Sequence, residues 1–220
     1  MNKRLILIPA LLIATTSVIF TGCSKDEDTT APVITLNGDV FTEIELQEAY
    51  VEQGATAIDG EDGTVNVSIS GIVNNDLKGN YTISYTATDE AGNTASEERT
   101  VTVVNSADFL GGTYDDATDV CGASGSAMFD ATVTPSDTEN GEFDVTNFGA
   151  FRQSITITCE FNSATNKITA STPQSLGGVT NLTQVFPSSG IISNSPVTFQ
   201  IVYEWNDGGS SEICTSTYTK

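Results

Sequence analysis

The 220-residue chain carries 29 acidic and eight basic residues, a net charge of −21, and no histidine. A field of that sign repels nucleic acid and anionic head groups, which excludes DNA and RNA as partners. The missing imidazole removes Ser-His-Asp and Cys-His chemistry, His ligation of metals and the usual neutral-pH proton shuttle.

Residues 1–22 read as an export signal, with a charged start at Lys3 and Arg4, an apolar run from Leu5 to Phe20, and small residues Thr21-Gly22 leading to Cys23. The run is shorter than the roughly 20 residues that span a bilayer, and Pro9 and Thr15-Thr16-Ser17 interrupt it, which disfavours a transmembrane anchor. Ile19-Phe20-Thr21-Gly22-Cys23 resembles a bacterial lipobox. The resemblance implies acylation at Cys23, a partner membrane reached through that lipid, and a place at the outer membrane. Several acyl chains anchor stably, since each buried methylene contributes about 0.8 kcal/mol. The alternative is an ordinary secretory signal in which Cys23 is incidental. Ser24-Lys25-Asp26-Glu27-Asp28 is similar to the acidic tag that carries Bacteroidota lipoproteins to the cell surface, and residues 23–30 also serve as a solvated tether. With Lys3 and Arg4 gone, six basic residues face 29 acidic ones, a mature charge of −23.

From Ala31 to Asn105 the pattern is short alternating strands with turn residues between them, which predicts an all-β fold. Ile34 and Leu36, Ile44 and Leu46, and Ala55 and Ala57 supply the first strands. Val65, Val67 and Ile69 then share one face of a single run, followed by Tyr81 to Ala87 and Thr100 to Val104. Asn37-Gly38, Asp59-Gly60, Asp62-Gly63 and Gly92-Asn93 punctuate them with residues that tolerate tight turns. Six or seven strands in about 75 residues predict an immunoglobulin-like sandwich, here without an inter-sheet disulfide. Ala31-Pro32-Val33-Ile34-Thr35-Leu36-Asn37-Gly38, Gly54-Ala55-Thr56-Ala57, Asp62-Gly63-Thr64-Val65, Gly79 to Asp89 and Ala91-Gly92-Asn93 resemble the bacterial surface Ig-like family also found in pesticidal crystal proteins. The resemblance implies a spacer or adhesion module and no reaction. Asp59, Glu61, Asp62, Asp89 and Glu90 raise calcium binding, but their spacing matches neither an EF-hand nor the cadherin signature. They read as turn formers, and no metal or cofactor is expected.

Val104-Asn105-Ser106-Ala107-Asp108 is too short for a flexible linker, so the two domains are expected to touch or lie end to end. Residues 106–220 read as a second antiparallel β-domain, either a lipocalin-like barrel or a sandwich. Ala127, Phe129, Ala131 and Val133 alternate with polar residues, and Val197, Phe199, Ile201, Tyr203 and Trp205 form the strongest strand signal. Asn206-Asp207-Gly208-Gly209 predicts a turn back into Glu212 to Tyr218. Tyr203, Trp205, Phe148 and Phe151 raise a sugar platform, but alternation on one strand is how a core is built. Gly112-Thr113-Tyr114, Val120-Cys121, Phe143 to Gly149 and Cys214 to Tyr218 are similar to the C-terminal β-domain of Bacteroidota surface lipoproteins, some of them encoded beside importers of the starch-utilisation type. That similarity implies glycan or an outer-membrane importer complex as partner.

Cys159 shares a strand face with Ile155, Ile157 and Phe161 and reads as a buried small hydrophobe, which leaves Cys121 to pair with Cys214. Glu160, Glu204 and Glu212 point outward by the same parity, so an enzyme built on facing carboxylates is not expected. The ligand-binding residues are not legible. Two functions survive: a lipid-anchored surface protein whose Ig-like spacer presents a binding β-domain, and a structural or adhesive envelope lipoprotein without a small-molecule ligand.

Overall fold

The structure is a computed structural model that describes residues 27–122, 125–148, 155–170, 182–185, 190–206 and 211–220. The signal, Cys23 and most of the acidic tag lie outside the described residues, as do Phe151 and the Asp207–Gly209 turn; the side chain of Trp205 is likewise not described.

Seven strands build the N-terminal unit: β1 (Val33–Leu36), β2 (Phe41–Glu45), β3 (Ala55–Asp59), β4 (Gly63–Val65), β5 (Val67–Ser70), β6 (Gly79–Thr88) and β7 (Thr94–Val104). They form a three-stranded sheet, β1-β3-β4, and a four-stranded sheet, β2-β7-β6-β5. Alternation along β6 and β7 turns Ile83, Tyr85, Val101 and Val103 inward with Ile44 and Leu46, and Ile34, Leu36 and Ala55 of the facing sheet cover them. The run from Thr64 to Ser70 is not one strand. It breaks at Asn66, where the chain leaves β4 on one sheet for β5 on the other, and Ile69 is exposed. Alternation is blind to such a switch, because it records which residues face inward and not which strand they pair with.

No disulfide joins the sheets; an ion pair holds their connecting loops. Arg99 on β7 is 1% exposed. Its Nη1 lies 2.7 Å from Glu52 Oε1, its Nε donates to the Asp39 carbonyl at 2.9 Å, and its Nη2 donates to the Asn37 carbonyl. Tyr50 and Tyr85 hydroxyls donate to Glu52, each at 2.6 Å. Burial opposes the Glu52 charge, but those hydroxyls, the Gly54 amide and Arg99 outweigh it and hold the carboxyl down at about 2.

A 3₁₀ turn, Asp108–Leu110, leads into the second unit. Its strands are β8 (Gly112–Cys121), β9 (Gly125–Pro135), β10 (Glu142–Thr146), β11 (Thr156–Asn162), β12 (Lys167–Ala170), β13 (Leu182–Val185), β14 (Gly190–Asn194), β15 (Val197–Asn206) and β16 (Ser211–Thr219). Antiparallel pairing runs β8-β9-β10-β11-β12-β14-β15-β16 and closes from β16 back to β8, an eight-stranded barrel with β13 added beside β15. The sheet is therefore a barrel and not a second sandwich. Its interior is packed: Tyr114, Phe143, Phe148, Phe199, Ile201, Tyr203 and Tyr218 are fully buried. Phe199 stacks on Tyr218 with centroids 4.6 Å apart, and Tyr114 meets both edge-on. Each such side chain contributes about 2–3 kcal/mol by leaving water.

Candidate functional site

Polar chemistry concentrates in three places: the junction between the units, the closing seam of the barrel, and the pole of the sandwich away from the barrel. At the junction, Asn105 is 2% exposed. Its Nδ2 is directed at the carbonyls of Ser136, Glu139 and Glu142 at 2.9, 3.1 and 2.9 Å, while its Oδ1 accepts the amides of Ala107 and Gly141, each at 2.8 Å. One side chain thus satisfies the loop between β9 and β10, which would otherwise bury unpaired backbone. Gly141 takes φ +79°, and a Cβ there would collide with the Phe161 carbonyl. Around this weld, Lys78 Nζ lies 2.8 Å from Asp108 Oδ1 and 3.2 Å from Asp137 Oδ1, Gln47 donates to Glu139, and Asn140 donates to Glu45.

Two clefts flank the junction. One, of about 330 Å³, is lined by Gln47, Glu139, Asn140, Glu142 and Glu160 among others. The second, of about 550 Å³, is lined by Glu43, Glu45, Glu48, Asp108 and Phe109 among others. Glu142 and Glu160 are register partners on β10 and β11, and burial followed by Glu139, Asp144 and Glu160 pushes the Glu142 carboxyl up. Glu160 is exposed; Glu204 and Glu212 are half-buried. Both clefts therefore favour cations or basic groups over anions.

At the seam, Cys121 and Cys214 face each other in register across β8 and β16 and form a disulfide. Next to it, buried Asp119 accepts the Tyr203 hydroxyl at 2.8 Å and the Ser216 hydroxyl at 2.9 Å. Burial, then the Asp119 charge, pushes the Tyr203 hydroxyl far above its ordinary value. Phe148 lies 4.8 Å from Tyr203, centroid to centroid, and both rings are buried; they build core and offer no face to a sugar. Cys159 is buried and free, and burial raises its thiol.

At the pole, the structure brings together only some of the acidic residues that the sequence singles out. Asp59 ends β3 and is buried; its Oδ1 accepts the amides of Glu61 and Asp62 at 2.8 and 3.0 Å, which hold its carboxyl below the usual range. Asp89 is buried and takes the amide and side chain of Asn93 at 2.7 and 2.8 Å. Asn93 also donates to the Asp28 carbonyl at 3.2 Å, so the tether enters the sandwich here. Glu61, Asp62 and Glu90 are exposed, with Asp62 accepting the Glu90 amide at 2.7 Å. Sequence reading missed Asn105, Arg99 with Glu52, Asp119 and Asp28, because each looks like an ordinary linker, strand or tether residue until its distant partners are in place.

No curated protein matches the chain. Among solved structures it aligns with the lipoprotein BT2262 of Bacteroides thetaiotaomicron at 20% identity and a TM-score of 0.39, over 85% of this chain and 99% of that one. It also aligns with the CBM51-2 and INT domains of Clostridium perfringens ZmpB at 16% identity and a TM-score of 0.27, over 85% of this chain and 44% of that one. Residues 34–103 match the model of the family described as bacterial surface protein, Ig-like domain, a stretch that coincides with the seven-stranded sandwich.

Proposed function

We propose that the chain is an outer-membrane lipoprotein, acylated at Cys23 and facing outward, whose Ig-like domain is a spacer that presents the barrel for binding. The observation that carries this reading is the placement of entry and exit. The tether meets the sandwich beside Asp59 and Asp89, whereas the barrel is welded at the opposite end through Asn105. Between these ends run the ten residues of β6 and the eleven of β7, a span of roughly 35 Å at about 3.4 Å per residue. Cys23 lies five residues before Asp28 in sequence, a reach of at most about 17 Å. A membrane at Cys23 therefore leaves the barrel at the far end.

The packed interior seen among the described barrel residues supports binding at the outer surface and loops, of a glycan or an importer partner. The reading includes no catalytic role, since Glu142 and Glu160 lie side by side on adjacent strands and do not flank a gap from opposite sides. A second reading, structural or adhesive with no small-molecule ligand, draws support from the described barrel surface. Phe109 is the exposed aromatic ring there, and it sits at the junction.

Protease shaving of intact cells, followed by immunodetection of the barrel, tests the display. Loss of signal is expected; full protection would sink outward display. Cys23→Ala is expected to move the protein from the membrane to the soluble fraction, and unchanged membrane partition would remove the anchor. Glycan-array binding by the surface-exposed protein separates the two readings.

A further inference from the structure

Three carboxylates from three separate stretches meet at the tether pole: Asp28 before β1, Asp59 at the end of β3, and Asp89 after β6. One oxygen from each lies within 4.8 Å of one from each of the others. Like charges at that spacing repel, and among the described residues no lysine or arginine forms an ion pair with any of the three.

Two oxygens of the cluster are also orphaned. Asp59 is 96% buried, with a residual exposure of 4%, and its Oδ2 has no hydrogen-bond partner; neither has the buried Oδ2 of Asp28. An ionised oxygen withdrawn from water without a partner is costly. Asp59 cannot relieve this by rotating, because the amides of Glu61 and Asp62 hold its other oxygen. Asp89 accepts hydrogen bonds at both oxygens, yet each carboxylate oxygen carries a second lone pair.

Two oxygens that each sit about 2.3–2.6 Å from one ion are separated by at most roughly 5 Å, so the observed spacing admits a single cation among all three. The donors are all hard oxygens, which points away from zinc, copper and iron. Magnesium demands near-ideal octahedral geometry, whereas calcium accepts irregular sets of six to eight oxygens that solvent can complete. We propose that Asp28, Asp59 and Asp89 form a calcium site that clasps the tether to the pole of the sandwich. Calcium then supplies the missing partner of Asp59 and fixes the segment through which the domain is connected to whatever precedes it.

The test is calorimetric titration of the full mature chain, stripped with EGTA, with calcium chloride alone. The expected result is one ion per chain with a Kd of about 10⁻⁴ to 10⁻³ M, the range of extracellular modules, and a higher unfolding midpoint for the sandwich. Asp59→Asn and Asp28→Ala are each expected to weaken binding about tenfold or more. Asp28 precedes the first strand, so Asp28→Ala separates loss of a ligand from loss of the fold. No heat and no midpoint shift up to about 10 mM calcium, or undiminished binding by the two variants, would overturn the site. Neither outcome depends on acylation at Cys23, so failure here and failure of the spacer reading are distinguishable.

Discussion

Arg99 and Glu52 show how one charged pair replaces the covalent link of other Ig-like sandwiches. Removing one partner of a buried pair costs about 3–5 kcal/mol, because the other charge is left dry. Glu52 gives the pair a pH signature. Its carboxyl falls from an ordinary 4.5 to about 2 on folding, so the folded state favours the charged form. The resulting stability, on the order of 3 kcal/mol, is fully present above pH 4.5 and is lost as pH falls through about 2. Glu52→Gln is therefore expected to lower stability at neutral pH by about 2–3 kcal/mol, and its deficit relative to the unmodified protein should vanish by pH 2. Urea denaturation at stepped pH measures this, and a deficit that persists undiminished in acid would show that the charge of Glu52 is not responsible. Nothing at position 99 announced the pair: Arg99 follows two glutamates in a run of alternating polar residues, and its partners lie 47 to 62 positions away.

Among the elements, alternation made the interior faces legible wherever a strand stays within one sheet. Phe199, Ile201 and Tyr203 on β15, and Ala131 and Val133 on β9, point inward as their spacing predicts. The same signal failed from Val65 to Ile69, where pairing changes sheets, and it left barrel and sandwich undecided because closure rests on β16 meeting β8, a contact between distant segments. The Cys121–Cys214 disulfide staples that contact and spans 93 positions. In the chain-entropy view such a loop contributes about 4–5 kcal/mol. A Cys121→Ser, Cys214→Ser variant should lose about that much unfolding free energy and so unfold its barrel at a lower urea concentration, read from tyrosine absorbance. An unshifted midpoint would mean that strand pairing alone holds the seam.

For the whole molecule, Asn105 decides whether the two units behave as one body. Asn105→Ala would strand the Ser136 carbonyl and the Ala107 and Gly141 amides, each worth about 1–3 kcal/mol when left unpaired in a buried setting, while the Glu139 and Glu142 carbonyls keep the amides of Glu142 and Ser136. The expected outcome is a calorimetric trace that splits into two transitions and a broader distance distribution in solution scattering; a single unchanged transition would show that Lys78, Gln47 and Asn140 suffice. As a sequence Asn105 looked like any short-linker residue, and Asp28 like any tether residue, since the geometry that gives each its role comes from loops more than 30 and 60 positions away.

The parallel pairing of β2 with β7 over Phe41–Glu45 and Thr100–Val104 has a mechanical consequence. A force applied between the two ends of the sandwich would pull β7 by its C-terminal end and the chain ahead of β2 in the opposite direction. The two strands are then loaded lengthwise, so their hydrogen bonds must rupture together and not peel one after another. A module wired in this way resists extension along the line that joins its two ends, and would yield far more easily if tugged across it.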